Sequence, residues 1–216
     1  MLDLRHVQVS GLKWDRNRLW LALPEERLVV CYDPSARTTE EKLRYPHEIW
    51  DLCPAEEGLW MMTGGGRLGR QLVLWSFEDG AERRAFNCPD GAGAGITLYI
   101  DRLWLTHRHN RKLFCLDPQN GKLIWMMRTA NETFSPAAHG NELWFVESDP
   151  GPLGHWGAAG QGKYFFSRYD PTREAVVDRR PVSFTPRCMG LDAENFWYVP
   201  EERGGILSAK KHLRQL

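Results

Sequence analysis

Apolar residues in this chain fall in short runs that alternate with polar positions and are cut by Gly, Pro, Asp and Asn, the pattern of many short strands rather than helices. One pair of neighbours marks the rhythm. Leu19-Trp20, Leu59-Trp60, Leu103-Trp104, Leu143-Trp144 and Phe196-Trp197 lie in five such runs. Their Trp residues are 40, 44, 40 and 53 residues apart, and passing from Trp197 off the C-terminus and in again at Met1 reaches Trp20 after 39. A strand-rich repeat of about 40 residues is the signature of a propeller blade. The repeat also closes on itself. The spacing predicts an all-β, five-bladed β-propeller occupying 1–216 as a single domain, each blade a four-stranded antiparallel sheet.

Within each repeat the order of strands can be read. An inner strand comes first (Gly11–Trp14, Ile49–Cys53, Gly95–Tyr99, Pro136–His139, Cys188–Leu191) and a tight turn leads to the Leu-Trp strand. Neighbours on a strand point to opposite faces, so each pair offers one large group to each adjoining blade. The third strand is apolar and ends in Asp33-Pro34, Asp117-Pro118 or Asp170-Pro171, where proline fixes φ and the carboxylate caps backbone N–H groups. The fourth is more polar, as in Glu41–Tyr45, Glu82–Phe86 and Glu174–Asp178. The last repeat runs out of chain after three strands, whereas Leu2–Ser10 precedes the first blade and belongs to none. Leu2–Ser10 is therefore expected to supply the outer strand of the last blade and close the ring.

This order places the loops between second and third strands on the same face as the links between blades, around the mouth of the central channel. A ligand is expected there. The polar and aromatic residues of that rim are His47, Glu48, Trp50, Asp90, His107, His109, Glu132, Phe134, His155, Trp156 and Arg187. His155 and Trp156 lie in the longest loop, Ser148–Gly162, whose Gly and Pro content marks it as irregular and whose length suggests a role.

Three short motifs invite chemistry. His107-Arg108-His109, on an extended strand, would turn both imidazoles to one side, as two ligands of a divalent metal require; His155, Glu147 or His47 would complete the set. The alternative is a solvated turn. Gly64–Gly69 fits G-x-G-x-x-G but joins two strands with no helix to receive a phosphate, so a hairpin loop is the better reading. An anion could still settle on its amides beside Arg67 or Arg70. Cys188 follows Arg187, which could favour a thiolate, although a packed structural thiol suits the head of an inner strand better.

Composition narrows the classes. Lys+Arg and Asp+Glu are both 28, so no global basic field exists to gather nucleic acid or an anionic membrane. No run is long and apolar enough to cross a bilayer, and the N-terminus lacks the pattern of a signal peptide. The five cysteines are widely spaced with no C-x-x-C pair, as expected for reduced thiols. A cytoplasmic setting follows as an expectation.

Two stretches carry a family likeness. Leu113–Trp125, LFCLDPQNGKLIW, looks like one repeat of the quinoprotein-type propellers. More specifically, LWMMTGGGRLGRQLVLW and GAGITLYIDRLWLTHRHNRKLFCLD, within Leu59–Asp117, resemble the plant-type and bacterial glutaminyl cyclases (glutamine cyclotransferases), which are five-bladed propellers. Thr63-Gly64 and Gly93-x-Gly95-Ile96-Thr97 stand where that family has similar short motifs. The family sets acidic residues of its active site beside them; here Met61, Met62 and Ala94 occupy those places. The resemblance implies the fold, without the carboxylates that would shuttle protons in the cyclisation.

The expectation for function is a cytoplasmic binding module that holds a small molecule or peptide segment at the channel mouth, with Trp50, His47, Glu48, Glu132, Phe134, His155, Trp156 and Arg187 as contacts. One alternative is an enzyme, either a divergent cyclotransferase or a metal-assisted hydrolase or lyase using His107 and His109. A protein-interaction scaffold is the other.

Ring closure makes a direct prediction. Deleting Met1–Val9 leaves an aggregation-prone or unfolded chain, measured as soluble yield and melting temperature. A truncated protein that stays soluble with an unchanged Tm refutes closure by this segment.

Overall fold

In the computed structural model, residues 7–64, 69–149, 163–201 and 205–211 are described. They form five antiparallel sheets in sequence order. The first blade comprises β1 (Gly11–Asp15), β2 (Arg18–Leu23), β3 (Leu28–Asp33) and β4 (Thr38–Arg44). The second has β5 (Ile49–Ala55), β6 (Gly58–Gly64), β7 (Arg70–Ser76) and β8 (Ala81–Asn87). The third has β9 (Ile96–Tyr99), β10 (Arg102–His107), β11 (Lys112–Leu116) and β12 (Leu123–Arg128). The fourth has β13 (Glu132–His139), β14 (Glu142–Asp149), β15 (Lys163–Asp170) and β16 (Ala175–Val182). In the last, β17 (Pro186–Leu191), β18 (Asn195–Pro200) and β19 (Leu207–Lys210) make three strands. The first strand of each blade touches the first strand of the next, and β17 touches β1, so the ring is closed. The chain is a five-bladed β-propeller.

The Leu-Trp pairs divide their labour as period two requires. Leu59 packs in the seam with the first blade, beside Ala22 and Val29, while Trp60 packs in the seam with the third, beside Leu103 and Phe114. Leu103 and Trp104, Leu143 and Trp144, and Phe196 and Trp197 repeat the arrangement around the ring. Five apolar clusters result, one per seam. Full burial of each such side chain contributes about 1.5–3 kcal/mol.

The turns also follow the sequence. Asp33 Oδ1 accepts from the backbone N–H of Ser35 and Ala36 (2.9 and 3.0 Å), Asp117 Oδ1 from Gln119 (2.8 Å), and Asp170 Oδ1 from Thr172 (2.9 Å). In the second blade Ser76 Oγ does the same for Glu78.

Of the segment expected to close the ring, Leu2–His6 lies outside the described residues. Val7 to Ser10 are not in a strand, but Val9 is buried and both valines pack in the seam between first and last blades. The same seam is sealed by Trp14 stacked on Trp197, centroids 5.3 Å apart and planes 8° apart.

Around the channel, polar contacts join neighbouring blades. Ser10 Oγ donates to Ile49 O (2.8 Å), Lys13 Nζ to Asp51 Oδ1 and Oδ2 (2.8 and 3.0 Å), and Ile96 N to Asp51 Oδ2 (2.8 Å). Ser135 N donates to Ala94 O (3.0 Å), Met189 N to Ser135 Oγ (2.8 Å), and the Cys188 thiol makes a weak bond to Val9 O (3.9 Å). Asp51 bridges three blades. Burial pushes its carboxyl upward, and the Lys13 ammonium with the amides of Ile96 and Leu52 pulls it back.

Replacing Asp51 by Asn removes the charge that compensates Lys13, which is only 4% exposed. Stranding one partner of a buried pair costs about 3–5 kcal/mol, which lowers Tm on the order of 10 °C in a protein of this size. Calorimetry of D51N measures it, and an unchanged Tm would show the bridge to be dispensable.

Candidate functional site

The side chains and turns that meet at the channel mouth come from the second and third blades. Glu48 and Trp50 stand at the entry to β5, Gly69 and Arg70 at the start of β7, 91–94 in the link between blades, and His107 to His109 at the end of β10. Together they line a cavity of about 500 Å³. Its aromatic wall is fixed. Trp50 Nε1 donates to Gly64 O (2.6 Å), and the Arg70 guanidinium lies 4.5 Å over the indole centroid, a cation–π pair that holds both planes. An Arg70 Nη1–H also donates to Gly93 O. A Cβ on Gly93 would lie 2.5 Å from Met62 Sδ and 2.8 Å from Leu105 Cδ1, so a side chain there would have to displace both. The two stretches that carry the family likeness, around Thr63 and around Gly93, therefore meet at this cavity.

Across the mouth, Arg108 leaves the third blade and lies 4.3 Å over the ring of Phe134 in the fourth. Its Nε donates to Glu132 Oε2 (3.3 Å), and His109 Nδ1 is 3.9 Å from Glu132 Oε1. Burial lowers the pKa of the Arg108 guanidinium, and Glu132 opposes that. Arg108 stays a cation, since even a lowered arginine remains protonated near neutral pH. Glu132 and Phe134 thus act as the seat of a cation rather than as walls of the cavity.

The histidine pair differs from its sequence expectation in one respect. β10 ends at His107, and the chain turns at once, with Arg111 at φ 51°, so the two imidazoles do not share a strand face. His107 is buried; Asn110 donates its backbone N–H to Nδ1 (3.3 Å) and sets its side-chain amide 3.3 Å from Nε2. Burial lowers its pKa, which keeps the ring neutral at pH 7. His109 is exposed. Among the described residues no three His, Cys, Asp or Glu side chains are grouped to hold a metal ion.

The remaining candidates are scattered. His47 is exposed and meets Tyr45 edge-on, centroids 5.9 Å apart. Arg187 sits half-buried on β17 and does not line the cavity. His155, Trp156, most of Ser148–Gly162 and Arg67 lie outside the described residues. Arg70 is the residue that sequence reasoning undervalued. Twenty positions separate it from Trp50, and only the pairing of strands β5, β6 and β7 brings them together.

No family model matches the sequence, and no curated protein does. Solved structures do match. The glutaminyl cyclase of Myxococcus xanthus superposes with a TM-score of 0.67 over 94% of this chain and 90% of its own, at 12% identity. The chain has a glutaminyl-cyclase-like propeller fold. U3-55K (TM-score 0.57, 9% identity, 97% of this chain and 63% of that one) and the Kuenenia stuttgartiensis hydrazine synthase (0.55, 10%, 97% and 67%) are also similar. At such identities the likeness is one of fold. Among the described residues that line the cavity, Glu48 is the one carboxylate, and it is exposed.

All five cysteines are buried and unpaired. Burial raises Cys31 to about 11 and Cys88 and Cys188 to about 12, so Arg187 does not make Cys188 a thiolate. Ellman's reagent at pH 8 should therefore label none of the five in the native protein and all five in guanidinium. Rapid native labelling of Cys188 would overturn this account.

Proposed function

We propose that this protein is a binding module that holds a small molecule or a peptide segment at the mouth of the channel, against Trp50 and Arg70. One observation carries the reading: a cavity of about 500 Å³ with a fixed aromatic wall and polar groups along its rim. That volume lies in the range of about 300–1,000 Å³ usual for ligand pockets. Trp50 offers area at little entropic cost because its indole is already held at its N–H and on one face. Arg70 and Arg108 suit a carbonyl or carboxylate of the ligand, and neutral His107 suits a polar neutral group. Binding is favoured over cyclotransfer because the carboxylate among the described lining residues, Glu48, is exposed where proton shuttling needs a positioned one. A cytoplasmic setting belongs to the same reading, supported by five cysteines that are unpaired.

A thermal-shift screen of metabolites and glutaminyl peptides tests it. A true ligand raises Tm in proportion to the logarithm of its concentration above Kd. Trp50→Ala then weakens that ligand by about tenfold or more, equivalent to about 1.4 kcal/mol. If no compound moves Tm, or if W50A binds as well as the parent, the site is not at Trp50.

A further inference from the structure

The cavity at Trp50 carries an imbalance of charge. Arg70 is half-buried on its wall, and burial pulls the guanidinium pKa below the ordinary arginine value, although the group remains a cation. A charge held away from water normally keeps a counter-charge beside it. Arg84, Arg108, Arg168 and Arg180 are half-buried too, and each stands 2.6 to 3.7 Å from a carboxylate. Arg70 has no such partner among the described residues. It meets the face of Trp50 and the carbonyl of Gly93, both neutral. Glu48, exposed on the same wall, acts on it only through space.

The rest of the wall does not correct this. Arg108 is matched by Glu132, and neutral His107 adds no charge. Arg187, at the start of β17, is the other half-buried arginine without a carboxylate among the described residues, and β17 begins at this same end of the ring. Unmatched guanidinium charge therefore gathers at the channel mouth. Arg70 is also prepared for one kind of anion. An Nη1–H is committed to Gly93 O and stacking on the indole fixes its plane, while its other N–H groups take no acceptor among the described residues. A guanidinium held in place matches a planar carboxylate through paired N–H···O bonds. The cavity of about 500 Å³ has room for an organic body behind that group.

We propose that this cavity selects an organic carboxylate, whose anionic group pairs with Arg70 while its apolar body lies beside Trp50. The inference rests on the cavity being the binding site, and adds the charge of what it takes. The same charge excludes. An ammonium group would meet Arg70 and Arg108 as a like charge, which is how a site rejects the wrong partner. A small carboxylic acid and the C-terminus of a peptide both carry the required group.

Phenylacetate, phenylacetamide and phenethylamine share one ring and differ in charge. Each is titrated into ¹⁵N-labelled full-length protein and followed at the indole resonance of Trp50, assigned with Trp50→Phe. Phenylacetate binds about tenfold tighter than phenylacetamide, and phenethylamine binds more weakly than either. Arg70→Gln brings the acid-to-amide ratio to about one, Arg70→Lys keeps part of it, and Glu48→Gln widens it. A mere collapse of the cavity would weaken acid and amide together and leave their ratio standing. Acetyl-Gly-Gly-Phe and its amide identify the source: tighter binding of this acid than of phenylacetate marks a peptide C-terminus, and the reverse marks a small acid. The proposal falls if the three phenyl compounds bind alike, if the amine binds best, or if none moves Trp50. It falls equally if Arg70→Gln keeps the ratio or Glu48→Gln narrows it. Equal binding of all three that Trp50→Ala weakens would leave the cavity a binding site and refute only its choice of an anion.

Discussion

Everything in this fold answers to the crowding of five inner strands around one axis. Strands that converge this closely bring backbone polar groups into a space too narrow for bulk water, and each must find a partner there. Asp51 resolves the crowding for three blades. Its two oxygens receive Lys13 from the first, its own neighbour Leu52, and the amide of Ile96 from the third. The arrangement dictates residue choice nearby. A Cβ at Gly11 would lie 2.4 Å from Asp51 Oδ1, and one at Gly95 would lie 2.9 Å from Oδ2 and 2.8 Å from Ser135 N. Glycine at these positions is the geometric counterpart of a carboxylate at 51. A ring knitted this tightly leaves the larger concavities to its two ends.

The seams obey a different rule. Where the axis is polar and exact in its partners, the seams are apolar and repetitive, and the Leu-Trp strand supplies both faces. Burial falls off outward: β4, β8 and β16 alternate or expose their residues, whereas β6 and β10 are buried almost throughout. This gradient is why Trp count in the sequence measures scaffold rather than activity.

Legibility in the sequence followed the same division. Strand order, the faces of Leu and Trp, and the Asp-Pro caps depend on neighbours along the chain, and period and turn chemistry reveal them. The bridge from Lys13 to Asp51 spans 38 positions, and Trp50 meets Arg70 across 20. Such contacts depend on the register between strands and on blade geometry, which a single sequence does not encode locally. His107-Arg108-His109 does not form a strand-face pair for a local reason: the strand ends at His107, two residues short of His109. Of the proposed contacts, Glu48 and Trp50 line the cavity, Glu132 and Phe134 support Arg108 beside it, and His47 and Arg187 lie elsewhere.

The cavity at Trp50 opens on the seam of blades two and three, and at the other end of β6 a groove of about 680 Å³ opens on the same seam. At one end of that strand Met62 presses under Gly93 and Gly64 O holds the indole of Trp50; near the other end Trp60 walls the groove beside Ile100. The seam cluster between these ends, with Leu72, Leu74, Leu103 and Leu105, is closely packed and includes Cys53 and Cys88 rather than larger aliphatics. Aromatic pairs fill this seam and the others alike: Trp60 stacks on Phe86 at 5.8 Å, Trp144 and Phe196 meet at 4.8 Å, and Phe184 stacks on Tyr198 at 4.4 Å. Trp60 and Trp144 both bury an indole N–H without a protein partner, so the second seam follows the packing of the repeat, and what distinguishes it is that β6 reaches a concavity at each of its ends.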